Sequence, residues 1–226
     1  MVTAWDGDEA RSAMTDNLRP DKALIFRITH KNNIEWILHN GLVSTNSTHF
    51  DPNFVQIGSP DLIEKRRSRE IPVPPHGTLQ DYIPFYFTPF SPMLLNIKTG
   101  YNGIRKRQND EIVIIVSSLF QVRDHGISFV FSNRHAFLQT ARFSNDISDL
   151  DMIDWDILQR RDFRRDPNDF GKMERYQAEA LIWKHLPVKS FVGIVSYDRE
   201  TAEWAGGLAD ACGHKLKVIS KPGWFF

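Results

Sequence analysis

The chain has 226 residues, 41% of them hydrophobic and 25% charged, a composition that supports one globular domain and excludes a wholly disordered chain. Its 28 basic and 28 acidic side chains cancel, so a surface for a polyanion must come from local clustering and not from overall charge. No apolar run approaches the ~20 residues of a bilayer span, and the opening MVTAWDGDEA lacks the basic-then-apolar order of a secretory leader, so the cytoplasm is the expected compartment.

Residues 1–21 mix charged and small polar groups without periodicity and end beside Pro20; they are expected to form a loose N-terminal extension, with the domain proper spanning 22–226. ALIFRIT, at 23–29, is rich in branched and aromatic residues and predicts a strand, and HKNNIEWILHNGLV predicts a helix closed by Gly41. The polar and proline-containing stretch from Thr45 to Pro60 predicts a loop, followed by a short basic helix in DLIEKRRSREI. IPVPPHGTLQDY carries three prolines and a glycine, which rules out an ordinary helix or central strand and leaves an ordered loop. It delivers the strand IPFYFTP, and Ser91-Pro92 then opens a helix over SPMLLNIKTG.

EIVIIVSS, at 111–118, is a continuous apolar run of the kind found at the centre of a sheet. ISFVFSNRH reads as a strand, DISDLDMIDWDILQRRDF as helix or loop, KMERYQAEALIWKHL as an amphipathic unit, FVGIVSYD as a strand and 199–212 as a helix, before the closing KLKVISKPGWFF. Strands and helices mix without strict βαβ alternation, so the class is α+β. Cys212 is the single cysteine; it can form no internal disulfide and is expected to be inert.

The tract RRSREIPVPPHGTLQDYIPFYFTPFSPM combines a basic helix, a proline-ordered loop and aromatic residues. Long structured loops of this kind carry function disproportionately often, and Arg66, Arg67 and Arg69 offer planar donors suited to phosphates; a solvated helix face is the plainer reading. Glu179 stands at the edge of a strongly apolar segment, where a carboxylate must reach solvent, find a partner or serve a site, and on pattern alone Glu174 is an equal candidate. There is no HExxH and no CxxC pair, so no metal site is expected, and the absence of GxGxxG, GxxxxGK[ST] and GxSxG removes the commonest dinucleotide, P-loop and hydrolase readings.

Four blocks carry a family resemblance: IFRITHKNNIEWILHNGL, the arginine-proline-aromatic tract, QAEALIW and the ending VISKPGWFF. In order and spacing, over roughly residues 22–226, they resemble the DarT family of DNA ADP-ribosyltransferase toxins. The resemblance implies a diphtheria-toxin-like or PARP-like fold with a split, mainly antiparallel sheet around an NAD+ cleft, NAD+ as substrate without a metal, and transfer of ADP-ribose to a base in single-stranded DNA. Thymidine is the favoured acceptor and guanosine the second. It further implies a macrodomain antitoxin of the DarG type as partner; a monomer is the default.

Residue by residue, the resemblance makes Glu179 the carboxylate that stabilises the oxocarbenium-like state, Arg67 the arginine that contacts the cofactor and assists proton transfer, with Arg66 secondary, and His135 the group beside the acceptor base. Arg27, Ile28, Thr29 and Tyr86 line the cofactor side, and Met93 lines the acceptor side with His135 and Arg66. Where the family commonly has His-Ile-Thr, this chain has Arg27-Ile28-Thr29, which exchanges a neutral imidazole for a permanent cation. Arg105, Lys106 and Arg107, with Tyr86, Phe87, Phe90 and Tyr101 near in sequence, are expected to bind the DNA backbone and stack bases, against the plain reading of a solvated loop. Two other readings are open: a related transferase acting on RNA or protein, and a catalytically silent nucleic-acid-binding module.

Overall fold

A computed structural model describes residues 17–226. Ten strands and seven α-helices occur among them: β1 (Leu24–His30), α1 (Ile34–Asn40), β2 (Leu42–Val43), α2 (Pro60–Arg66), β3 (Tyr82–Tyr86), α3 (Pro92–Thr99), β4 (Ile112–Ser118), α4 (Leu119–Asp124), β5 (Phe129–Ser132), β6 (Phe143–Ser144), α5 (Trp155–Arg160), α6 (Lys172–Arg175), β7 (Glu179–Trp183), β8 (His185–Leu186), β9 (Gly193–Ser196), α7 (Arg199–Ala211) and β10 (Lys217–Ser220). The expected helix starts follow from their caps: Ser59 and Ser91 accept from the amides of Leu62 and Leu94 ahead of Pro60 and Pro92. Gly41 ends α1 at φ 77°, a conformation only glycine adopts cheaply.

The main sheet runs β10-β9-β4-β1-β3-β7-β5-β6 and is antiparallel except for β9 and β10. β1 pairs with β4 along its whole length, from Leu24 opposite Ser118 to His30 opposite Ile112, whereas it meets β3 at the single pair Phe26–Tyr86. The sheet is therefore two half-sheets that part between β1 and β3, as the resemblance implied. Every residue of β4 is buried, which is why its sequence shows no alternation.

Two apolar clusters hold the halves. The larger joins β1, β4, β9 and the helices to Phe85, Phe87, Phe131 and Tyr176. The smaller lies under the proline loop and contains Ile71, Leu79, Tyr82, Val130, Ala136 and Leu181. That loop is pinned by the amide of Ile71 to the Gly77 carbonyl (2.9 Å) and by the Glu70–Thr78 bridge. Its anchoring fixes the end of α2 against the half-sheet that contains β7.

Two expectations change. KMERYQAEALIWKHL is not one amphipathic unit: α6 stops at Arg175, and 179–183 form β7, a strand between β3 and β5. Four of the five residues of β7 are buried; a strand enclosed on both faces leaves no period to distinguish it from a short helix. The segment 1–21 falls mostly outside the described residues, but Leu18 is fully buried in the larger cluster and its carbonyl accepts from Gln159 Nε2 (2.9 Å), so the packed domain begins no later than Leu18.

Candidate active site

Glu179 is the first residue of β7, opposite Tyr86 of β3 and Ser132 of β5, and only 1% exposed. Both its oxygens are held. Arg66, at the end of α2, donates from Nη1 to Oε1 (2.8 Å) and from Nη2 to Oε2 (2.6 Å), and the amide of Ala136 donates to Oε1 (2.9 Å). Burial pushes the Glu179 carboxyl up, but the Arg66 charge, its hydrogen bonds, His135 and the Ala136 amide outweigh it and hold the group below its ordinary value. The result is an ionised carboxylate in a dry, preorganised setting.

The structure separates the two candidate arginines. Arg67 points away from Glu179, is 59% exposed and pairs with Glu64 at 3.0 Å, while Arg66 is 14% exposed and bidentate on Glu179. One residue along a helix turns a side chain by ~100°, so adjacency in sequence offers no means of choosing between them. The next arginine, Arg69, donates to the Leu138 carbonyl (3.3 Å) and Gln139 (3.2 Å), tying α2 to the loop that carries His135 and Ala136.

His135 follows β5 with Nδ1 at 3.6 Å from Glu179 Oε1. That nitrogen accepts the amide of Phe137 (3.2 Å), so in the neutral ring the proton sits on Nε2. Burial lowers the His135 pKa; Glu179 opposes the shift and Arg66 adds to it, leaving the imidazole neutral at pH 7. Tyr86 OH donates to Met93 Sδ (3.5 Å), which brings the end of β3 and the start of α3 together.

Arg27 lies where β1 and β3 separate. Its Nη1 donates to the Pro84 carbonyl (2.8 Å) across the gap, and its buried Nε has no hydrogen-bond partner. Burial lowers its pKa to about 10, with Arg66 adding to the effect and Tyr86 opposing it, so it remains a cation at neutral pH. Such an unmatched buried donor fits a ligand with acceptor oxygens. Ile28 and Thr29 continue β1 and are both buried. Thr29 Oγ1 accepts from Asn33 Nδ2 (2.9 Å), and the same amide group exchanges hydrogen bonds with the carbonyl (3.0 Å) and amide (2.8 Å) of Val55. Asn33, which drew no attention in the sequence, therefore pins the long 44–59 loop to the end of β1.

The basic loop does not act as a unit. Arg105 is exposed, but Arg107 is turned inward, where Nη1 donates to Glu111 (3.0 Å) and lies 3.5 Å from His30 Nε2. Arg107 is committed to an internal ion pair and is withdrawn as a DNA contact. Among the described residues, no group of three or more His, Cys, Asp or Glu side chains is placed to hold a metal ion, and no helix is long and apolar enough to cross a membrane. Glu174, the alternative carboxylate, pairs with Arg134 at 3.0 Å and is half-exposed.

A sheet that opens beside a buried, ionised glutamate suits reactions in which positive charge develops on a sugar, and this fold and site define an NAD+-dependent ADP-ribosyltransferase. The structure is similar to that of "Thermus sp. 2.9 DarT in complex with ADP-ribosylated ssDNA", with a TM-score of 0.83, 30% identity and coverage of 92% of this chain and 98% of that one. It is also similar to the Thermus sp. 2.9 DarT in complex with NAD+, at a TM-score of 0.80 and 29% identity over 92% of this chain and 99% of the other. A DNA ADP-ribosyl transferase of Escherichia coli O127:H6 (strain E2348/69 / EPEC) is 49% identical over 210 residues, 93% of this chain and 96% of the relative. One from Thermus sp. (strain 2.9) is 35% identical over 185 residues, covering 81% and 86%. The family model described as "DarT: ssDNA thymidine ADP-ribosyltransferase, DarT" matches residues 26–226. The chain belongs to the DarT family of DNA ADP-ribosyltransferases.

Proposed function

We propose that this protein transfers ADP-ribose from NAD+ to a thymidine base in single-stranded DNA, with guanosine as the second candidate acceptor, and that it is the toxin of a toxin–antitoxin pair working as a cytoplasmic monomer. The observation that carries the reading is Glu179, buried at the head of β7 beside the sheet opening and gripped by Arg66. The thymidine preference is supported by the description of the matching family, and a single-stranded substrate by the DNA complex of the Thermus relative.

In the reaction, the bond from the ribose anomeric carbon to nicotinamide breaks, a bond from that carbon to the base nitrogen forms, and the proton of the base nitrogen is released to solvent. Glu179 supplies the negative field that stabilises the cationic sugar. Arg66 keeps the carboxylate ionised and oriented; Arg67, to which the resemblance gives cofactor contact and proton transfer, would meet phosphates only from the surface, beside its pair with Glu64. Arg27, Ile28 and Thr29 form the cofactor side, with the unmatched Arg27 Nε directed to an acceptor oxygen. Tyr86 and Met93 form the wall between cofactor and base. Neutral His135 steadies a base carbonyl as a donor from Nε2; its Nδ1 is already engaged.

Labelled NAD+ offered in parallel with single-stranded DNA, RNA and protein, beside Glu179→Ala, tests the reading. A mass gain of one ADP-ribose on thymine-containing oligonucleotides, absent with the variant, is expected. Label on RNA or protein alone would move the acceptor, and binding of DNA without transfer would make this a nucleic-acid-binding module. The partner is a macrodomain antitoxin of the DarG type, and its co-expression is expected to relieve a toxicity that Glu179→Ala also removes.

A further inference from the structure

Beyond the cleft, α5 ends in a second arginine cluster. Arg160, Arg161, Asp162, Phe163 and Arg164 line an open depression of about 610 Å³ on the surface. The wall is built, not a loose charged run. Arg161 turns the chain at φ 51°, donates to the Gly223 carbonyl (3.2 Å) and places its guanidinium 3.4 Å from the Phe90 ring centre. Phe163 packs between Tyr176 and Phe226, and the amide of Asp162 donates to Tyr176 OH (2.7 Å). Lys172 reaches the Arg164 carbonyl and the Asp162 carboxylate, each at 3.0 Å.

The only acid among the described residues of that lining is already occupied. Hydrogen bonds from Arg164 and Lys172 hold the Asp162 carboxyl far below the usual carboxylate range, and Arg160 and Arg164 against Asp162 leave the described lining net positive. Of the acids just downstream, Asp169 is engaged by Arg175, while Asp166 accepts the amide of Asn168 (2.9 Å) and is exposed. Arg164 keeps its pair with Asp162 through Nε (2.8 Å) and Nη2 (3.2 Å), but it is 87% exposed where Arg107 is 10% exposed, so its Nη1 can meet an incoming anion at small desolvation cost. Planar arginine forks on a surface braced in this way suit phosphate oxygens.

The depression is braced by the two segments that lead into the catalytic centre: Phe90 follows the end of β3, where Tyr86 faces Glu179, and Tyr176 precedes Glu179 by three residues. Its lining contains no residue of β1, where Arg27, Ile28 and Thr29 form the proposed cofactor side. We propose that this depression is a phosphodiester-binding site that holds the backbone of the DNA strand outside the cleft, with Arg160 and Arg164 as its contacts. The inference rests on the proposed transfer to single-stranded DNA and places the main backbone contact here instead of on the 105–107 loop, where Arg107 is internally paired.

The test uses the full chain and a fluorescently labelled thymine-containing single strand, without NAD+, over about 50 to 200 mM salt. Each phosphate contact contributes a slope of about −0.7 in log K against log salt for single strands. Arg160→Gln/Arg164→Gln is expected to reduce the slope by about 1.4, so that the wild-type Kd rises about sevenfold more than the variant's across that range. Arg164→Gln alone, at an exposed position, should lose about 0.7 and keeps the test open if the double variant folds poorly. KM for NAD+ at saturating DNA should not move. An unchanged salt slope in both variants overturns the site, and a raised KM for NAD+ with an unchanged slope reassigns the phosphate chemistry to the cofactor. If the wild type binds DNA with the expected patch-dependent slope but transfers nothing, the site stands and the enzymatic reading fails. If it transfers to DNA and the slope is insensitive to the arginines, this inference alone fails; no binding of single strands sinks both.

Discussion

Replacing Arg66 by methionine removes the positive half of a buried ion pair while retaining much of its apolar volume. In the wild type, Arg66 satisfies both oxygens of a carboxylate that is 1% exposed, and the Ala136 amide is the other hydrogen-bond donor to it. Breaking one partner of such a pair costs about 3–5 kcal/mol, because the remaining charge keeps its desolvation penalty without its counterion. The pH dependence reverses as well. In the wild type the folded-state pKa of Glu179 lies below its unfolded value, so the pair's contribution is present above the unfolded pKa and is lost as pH falls through the folded one. Burial, the largest influence on Glu179, acts upward; without Arg66 it prevails, the folded pKa rises above the unfolded one, and the penalty is greatest at neutral pH and shrinks on acidification. Urea unfolding at pH 7 should show Arg66→Met about 3 kcal/mol less stable than wild type, with a smaller deficit at pH 5, and Arg66→Met/Glu179→Gln should regain most of the loss. A deficit under about 1 kcal/mol at pH 7, the range of a surface pair, or one that grows on acidification, would refute this reasoning.

Arg67→Ala, by contrast, removes only an exposed pair with Glu64 and should change stability by less than about 1 kcal/mol, measured in the same unfolding series. Asn33→Ala leaves Thr29 and both backbone groups of Val55 without their partner; a loss of about 1–3 kcal/mol is expected for buried groups left unmatched, with faster proteolytic cleavage in 45–58, and an unchanged cleavage rate would remove Asn33 as the loop's anchor. His135→Phe should lower kcat about 100-fold, the scale of one preorganised donor, while His135→Gln, which keeps an N–H donor, should retain more; equal losses would mean that the imidazole acts as a general base instead. Gly41→Ala places a Cβ 2.6 Å from the Leu186 carbonyl oxygen at φ 77°, and a thermal melt should show a loss of at least about 1 kcal/mol.

Much of the local structure was legible because it is written in neighbours. Ser-Pro pairs cap and start α2 and α3, Gly41 ends α1, and the apolar run at 112–118 admits no role but a buried strand. The family resemblance named Glu179 and His135, and folding brings both to one place, within 3.6 Å of each other. What depended on side-chain direction was not legible. QAEALIW shows no period because β7 is enclosed between β3 and β5; Arg66 and Arg67 differ by one helical step; Arg107 is drawn inside by Glu111 and His30.

The sequence by itself determined most of the helices, strands and loops, the strand at 179–183 excepted, since caps, turns and apolar runs act over a few residues. Only the tertiary structure decided which charges are buried together. A guanidinium enters the interior at least cost where the fold supplies a carboxylate to meet it, and Arg66 and Glu179, 113 positions apart, become partners only once the proline loop has packed α2 against the sheet.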